Sequence, residues 1–220
     1  MTHLPDPIAR RRGCSEVARS WLDQRPVFLD TETTGTDSYA EICEVAVIAP
    51  DGEVIIDELV KPTRPIPQSA TDVHGISDAD VEDAPSMGDL ELELEEVLLS
   101  NPVAIYNADF DCRILRQSAS SGWLLDWPID PRRVHCVMEL ASRWHGDWSD
   151  VHQSYTWISQ EDAASELGID ISSIVGVSTS ADADLHRARA DAELCRRILH
   201  ALADYAAADD GTTAAEDPDS

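Results

Sequence analysis

The sequence predicts an α/β fold in one sizeable domain: an antiparallel three-stranded meander, then further strands flanked by helices. Three observations carry this. Val27-Phe28-Leu29 runs apolar into Asp30-Thr31-Glu32-Thr33-Thr34-Gly35, a strand ending in a turn. Residues 41–48 and 53–60 read as two more strands joined through Pro50-Asp51-Gly52, a hairpin signal. From Asp89 onward, apolar residues recur mainly at spacings of three and four, the period of a helix packed on one side.

Taken in order, residues 1–25 read as an N-terminal extension with a short helix over 15–22. Arg10, Arg11 and Arg12 form a basic run that reads as a solvated face, with contact to a phosphate backbone as the alternative. The core spans residues 26–205. Residues 61–81, with Pro62, Pro65 and Pro67, read as loop-rich. In residues 89–99, Leu90, Leu92 and Leu94 alternate like a strand, whereas Leu90, Leu94, Val97 and Leu98 make a helical stripe; the length favours a helix. Pro102 stops it. Residues 103–106 are strand-like, residues 108–120 helical, and residues 134–137 a further strand leading into a helix that reaches Trp144. Residues 145–158 read as a long loop, in which Trp148, Tyr155 and Trp157 could stack bases or pack on the surface. A short helix over 160–167 closes at Gly168, a loop covers 171–183, and the last helix covers 185–205. Residues 206–220 are acidic and small and read as a disordered tail.

The 220 residues include 43 acids against 16 bases, a net charge of -27, and Lys61 is the only lysine. Such a balance argues against a simple electrostatic binder of nucleic acid, which needs a basic patch. Metal ions could supply local positive charge, or a high-salt, halophilic cytoplasm could screen the surface. The five cysteines, Cys14, Cys43, Cys112, Cys136 and Cys195, form no CxxC pair and read as buried thiols of a reducing cytoplasm. No apolar run approaches the ~20 residues of a membrane span, and no signal peptide opens the chain.

Periodicity separates the acids. Asp30 and Glu32 share one face of their strand, because side chains alternate. Adjacent carboxylates repel unless a cation lies between them, and a hard divalent ion suits their oxygens. A strand running into an acidic turn is the plainer alternative. Asp111 shares a helical stripe with Ile114, Leu115 and Ser118 and so points inward, whereas Asp109 falls with Cys112, Arg113 and Arg116 on the outer side. Asp191 lies in the inner stripe of the last helix with Ala188, Cys195, Ile198 and Leu202. An inward acid costs stability unless it is paired or metal-bound. His186 precedes Asp191 by five residues, about 140° around a helix. The two can serve one site only if His186 lies in the first turn or in the loop before it.

Four motifs stand in order: Phe28-Leu29-Asp30-Thr31-Glu32-Thr33-Thr34-Gly35, Val73-His74-Gly75-Ile76, Asn107-Ala108-Asp109-Phe110-Asp111, and His186 through Asp191. On these the chain resembles the DEDD-type 3′–5′ exonucleases of the histidine subclass, in the DnaQ-like superfamily. Within that group it is similar to the epsilon subunit of bacterial DNA polymerase III and to the exonuclease domain of the Gram-positive polymerase. The resemblance implies a ribonuclease H-like fold with a mixed five-stranded sheet, three strands antiparallel and two parallel. It implies two divalent ions, Mg²⁺ or Mn²⁺, clamping an in-line displacement. Asp30 would touch both ions, Glu32 and Asp191 would complete the site of the attacking water, and Asp111 would hold the second ion. His186 would be the general base, a role that suits the ordinary histidine pKa of about 6.5. Thr33 and His74 would meet the terminal nucleotide.

The implied activity is 3′–5′ hydrolysis of single-stranded or frayed DNA ends to nucleoside 5′-monophosphates. RNA-end trimming by the same chemistry and a non-catalytic nucleic-acid-binding module are the alternatives. Several features depart from the family pattern. Tyr106 replaces a histidine common there, Asp109 adds an acid, and residues 145–158 match poorly. No clamp-binding motif follows the last helix, so a DNA polymerase partner is implied less strongly than the chemistry.

Overall fold

A computed structural model describes residues 6–119, 130–175 and 186–205. The polypeptide opens with helix α1, Pro7–Leu22. The Asp6 carboxylate accepts from the Ile8 and Ala9 amides at 3.0 and 3.1 Å, and Pro7 fills a first-turn position where no amide is needed. The helix thus starts well before residue 15, and the basic run lies within it. The run is not a solvated face. Arg10 is only 8% exposed and donates to the carbonyls of Trp144 and His145 at 3.4 and 3.1 Å. Arg11 lies 4.1 Å above the Trp144 ring. Two of the three arginines are therefore spent on carbonyls or a ring at the end of another helix, where cations are favoured.

The expected meander is present. β1 (Val27–Thr33), β2 (Ile42–Ile48) and β3 (Val54–Leu59) pair antiparallel in sequence. The turn between the last two uses Gly52 at φ 92°. On the other side β1 pairs in parallel with β4 (Val103–Ile105), which pairs in parallel with β5 (Val134–Cys136). The sheet order is β3-β2-β1-β4-β5. This is the mixed five-stranded sheet anticipated from the sequence, with β1 at its centre.

Alternation along β1 divides the helices into two layers. Val27 and Leu29 face α3 (Met87–Ser100) and α4 (Ala108–Ser118). Phe28 faces α1, α5 (Val137–His145), α6 (Gln160–Glu166) and the long α8 (Ala188–Asp204). Cys14 and Ala18 of α1 are fully buried in that second core, so the N-terminal helix shares its packing with α8. In α3, Leu90, Leu94 and Leu98 are buried while Leu92 is 79% exposed, which settles helix over strand. A capping box between Ser86 and Asp89 starts it.

Other expectations need correction. The loop-rich stretch contains α2, Gln68–His74, begun after Pro67 and ended by Gly75 at φ 75°. Residues 145–158 are not one open loop: β6 (Trp148–Ser149) pairs with β7 (Ser154–Tyr155), and the Trp148 and Tyr155 rings meet edge-on at 5.1 Å. A short α7, Ser172–Val175, lies within the loop expected over 171–183. Cys112, assigned by periodicity to the outer side of α4, is buried at 7% exposure, because the apolar stripe of that helix is broad. Residues 206–220, read as a tail, lie outside the described residues.

Gly146, which ends α5 at φ 92°, is a test of this packing. A Cβ there would lie 1.9 Å from the Arg10 guanidinium. Gly146→Ala is expected to cost about 2 kcal/mol or more in urea unfolding. In an Arg10→Ala background the cost should shrink to the backbone term alone, since the two residues share one contact.

Candidate active site

The acids converge where the sheet changes direction. β1 has an antiparallel neighbour on one side and a parallel one on the other, and beyond Phe28 its C-terminal end pairs with β2 alone. Asp30 and Glu32 lie at that end of β1, on the face that Phe28 turns toward α8. Asp191 sits in the first turn of α8. One carboxylate oxygen from each of Asp30, Glu32 and Asp191 lies within 4.8 Å of the others.

Asp111 arrives from the opposite layer, in the first turn of α4. Its Oδ1 accepts a 2.8 Å hydrogen bond from the Thr31 hydroxyl, which points to the α4 side of β1. Asp111 is 3% exposed, as its stripe predicts, and Asp109 is exposed. Asp111 therefore stands beside the group of three rather than inside it. Both helix-borne acids lie at helix N-termini, where the peptide dipoles favour negative charge.

Burial and mutual repulsion dominate the electrostatics. Asp30 is held well above the ordinary carboxylate range by loss of water, then by the charges of Asp111, Asp191 and Glu32. Glu32 is pushed up to about 9 by burial and by Asp191 and Glu44, with Arg187 opposing. Asp191 rises to about 8 through burial and the nearby Glu161 and Glu44. Asp111 rises to about 7 through burial, against the Thr31 hydrogen bond. Metal-free, the cluster holds protons at neutral pH. An all-carboxylate donor set of this kind fits a hard divalent cation.

Two candidate substrate contacts meet one another. His74 is 2% exposed; its Nδ1 accepts from the Ile76 amide at 3.0 Å, so Nε2 carries the proton and donates to the Thr33 carbonyl at 3.2 Å. Burial lowers its pKa, in keeping with a neutral ring. The Thr33 hydroxyl donates to the Gly35 carbonyl at 2.7 Å. His186 is exposed, at a bend just before Arg187, the N-cap of α8, rather than within the helix. It is not a member of the three-acid group.

Sequence reasoning missed Thr31, Glu44, Glu161 and Arg187. Glu44 sits directly opposite Glu32 in the β1–β2 ladder and so shares its face. An acid inside the otherwise apolar run Ile42–Ile48 is the signal that could have found it.

The profile of the RNase_T exonuclease family matches residues 27–199. The chain belongs to this exonuclease family. It is a nuclease enzyme, which disfavours the non-catalytic binding module. Uncharacterized exonuclease CP81 of Escherichia phage 186 is 34% identical over 198 residues, covering 88% of this chain and 96% of its own length. A DNA polymerase III subunit epsilon-like protein of Rhodobacter capsulatus is 36% identical over 116 residues, 49% of this chain but only 16% of the relative. Among solved structures, Exonuclease X in complex with 5′ overhanging duplex DNA superposes with a TM-score of 0.55 at 25% identity, over 80% of this chain and 89% of that one. Among the described residues, no helix is long and apolar enough to cross a membrane.

The raised carboxylates give a signed stability effect. Their folded pKa values exceed the unfolded ones, so folding takes up protons and this penalty grows as pH rises from about 4 toward about 9. Asp30→Asn should therefore raise the melting temperature of the EDTA-treated protein at pH 8 by about 2–8 °C. At pH 5 the gain should largely vanish, as thermal melts at the two pH values would show.

Proposed function

We propose that the chain is a divalent-metal-dependent 3′–5′ exonuclease that shortens DNA from single-stranded or frayed 3′ ends and releases nucleoside 5′-monophosphates. The observation that carries this is the convergence of Asp30, Glu32 and Asp191 within 4.8 Å, with buried Asp111 alongside. Asp30 would serve two ions, Glu32 and Asp191 one of them, and Asp111 the other. When bound, such ions supply Lewis acidity and charge neutralisation for an in-line displacement at phosphorus.

The protein's own groups do the rest. His186, exposed beside α8, takes the proton of the attacking water. His74 fixes the Thr33 carbonyl, and with it the backbone that faces the terminal nucleotide. On the loop following β1, Tyr39 is 67% exposed, and the Arg64 guanidinium lies 5.0 Å from its ring centre. An exposed aromatic with a cation beside it suits a single strand, whose bases stack and whose phosphates need positive charge. Arg64 also lies 3.9 Å from the Glu41 carboxylate, so the exposed Tyr39 ring is the part of this contact left open to a base.

DNA is favoured by the likeness to Exonuclease X in its complex with 5′ overhanging duplex DNA. The phage 186 relative, matched over 96% of its length, carries the name of an exonuclease, which supports the nuclease reading; a DNA polymerase partner stays with the epsilon-like relatives. Five free thiols and no membrane-crossing helix among the described residues suit a reducing cytoplasm. We divide the chain, as a working assignment, into extension 1–25, exonuclease domain 26–205 and tail 206–220. The charge of -27 supports work in high salt.

The test uses 5′-labelled single-stranded DNA and RNA of one sequence with Mg²⁺ or Mn²⁺ across a KCl series. A ladder shortening from the 3′ end is expected, faster on DNA, tolerant of molar KCl and abolished by EDTA. Asp30→Ala should reduce it by more than about a hundredfold. Faster loss from RNA would move the assignment to RNA trimming. No shortening by the folded protein in any condition would refute the proposal, and activity confined to low salt would remove the halophilic element.

A further inference from the structure

Glu44 is a further carboxylate on the face of Asp30 and Glu32, 2% exposed and paired across the ladder with Glu32. Like charges directly opposite on adjacent strands repel. Glu44 lies outside the close group of three, and both its oxygens have partners of their own. Arg187 Nε lies 3.0 Å from each oxygen, Arg187 Nη2 donates to Oε1, and the Ala188 amide donates to Oε2 at 2.9 Å.

The same contacts start α8. Arg187 is its N-cap residue, but an arginine has no acceptor, and no side chain of the cap itself satisfies the first amides. Glu44 supplies the missing acceptor from β2, at the end of the helix that favours an anion. One residue before this clamp stands His186, and one turn after it stands Asp191, whose amide bonds the Arg187 carbonyl at 3.0 Å. Gln160 adds a second hold by donating to the Asp191 carbonyl at 2.7 Å.

We propose that Glu44 and Arg187 are a positioning pair: they pin the His186–Asp191 turn to the sheet at working distance from Asp30 and Glu32, and they balance each other's charge at its edge. The inference rests on the exonuclease reading and deepens it. Neither residue need touch substrate. Glu44 stands opposite Glu32 and Arg187 stands on Glu44, so the two place opposite charges beside the acids and act on a bound cation with opposite sign.

That opposition yields a test which a merely structural role would fail. Mn²⁺ affinity is measured by calorimetric titration without DNA, and turnover at saturating DNA and Mn²⁺, for Arg187→Met, Glu44→Gln, Arg187→Lys and the wild type. Arg187→Met leaves an unbalanced anion beside the acids and should tighten Mn²⁺ about three- to tenfold, while Glu44→Gln leaves a cation and should weaken it by a similar factor. Both should lose about tenfold or more in kcat with little change in KM, because the turn is displaced. Arg187→Lys keeps the charge but not the forked contact, so it should hold Mn²⁺ affinity near the wild type and still lose kcat. It also covers the case in which a charge-removing variant fails to fold. Affinity shifts of the same sign in Arg187→Met and Glu44→Gln, or wild-type turnover by Arg187→Lys, would overturn the proposal. A wild type that binds Mn²⁺ but leaves DNA intact would refute the exonuclease reading, and with it the predicted kcat losses, while the signs of the Mn²⁺ shifts would still decide the charge-balancing claim.

Discussion

The repulsion among buried carboxylates at the end of β1 is the constraint that the rest of the structure accommodates. Asp30, Glu32, Asp111 and Asp191 come from three elements, with Asp111 and Glu32 buried and Asp30 and Asp191 half-buried at the end of the strand. Burial raises the cost of ionising Asp30, and the charges of Asp111, Asp191 and Glu32 raise it further. A fold selected for stability alone would place apolar residues there. The arrangement makes physical sense as a receptor for dense positive charge, with part of its folding stability given up to keep that receptor ready.

The scaffold distributes this cost. β1 is the central strand, and the two acids it carries are held in register by β2, Asp30 opposite Ala46 and Glu32 opposite Glu44. The other two are carried on helix N-termini, where peptide dipoles offset some of the charge. Thr31 gives Asp111 a hydroxyl partner, and Glu44 with Arg187 ties the start of α8 to β2. α1 buttresses α8 from behind through Cys14 and Ala18, while Arg10 and Arg11 hold the end of α5. Arg10 and Arg11 of the basic run are thus engaged within the protein, on the carbonyls and ring at the end of α5.

Much of this was legible in the sequence, because its signals were local. Period-two alternation put Asp30 and Glu32 on one face, and helical spacing turned Asp111 inward and Asp109 outward. The meander followed from apolar runs and an Asp-Gly turn. What escaped depends on partners far apart in the chain. Glu44 and Arg187 are separated by 143 residues, and neither carries meaning until β2 and α8 are side by side. Arg10 reads as solvated until the end of α5, 134 residues away, is placed against it. Strands of two residues, such as β6 and β7, are too short to show a period at all. Helix α2 carried legible stop and start signals in Pro67 and Gly75, but the proline-rich approach concealed them.

The measurement closest to the central claim is the number of protons released when Mg²⁺ binds the metal-free wild-type protein. Calorimetric titrations at pH 7 in buffers of different ionisation enthalpy give that number directly. If the acids share protons in place of an ion, binding should expel about one proton or more per protein, and fewer at pH 9, where the carboxylates are already more ionised. Binding with no proton release at pH 7, or no detectable binding at all, would contradict the view that this cluster is a protonated cation site.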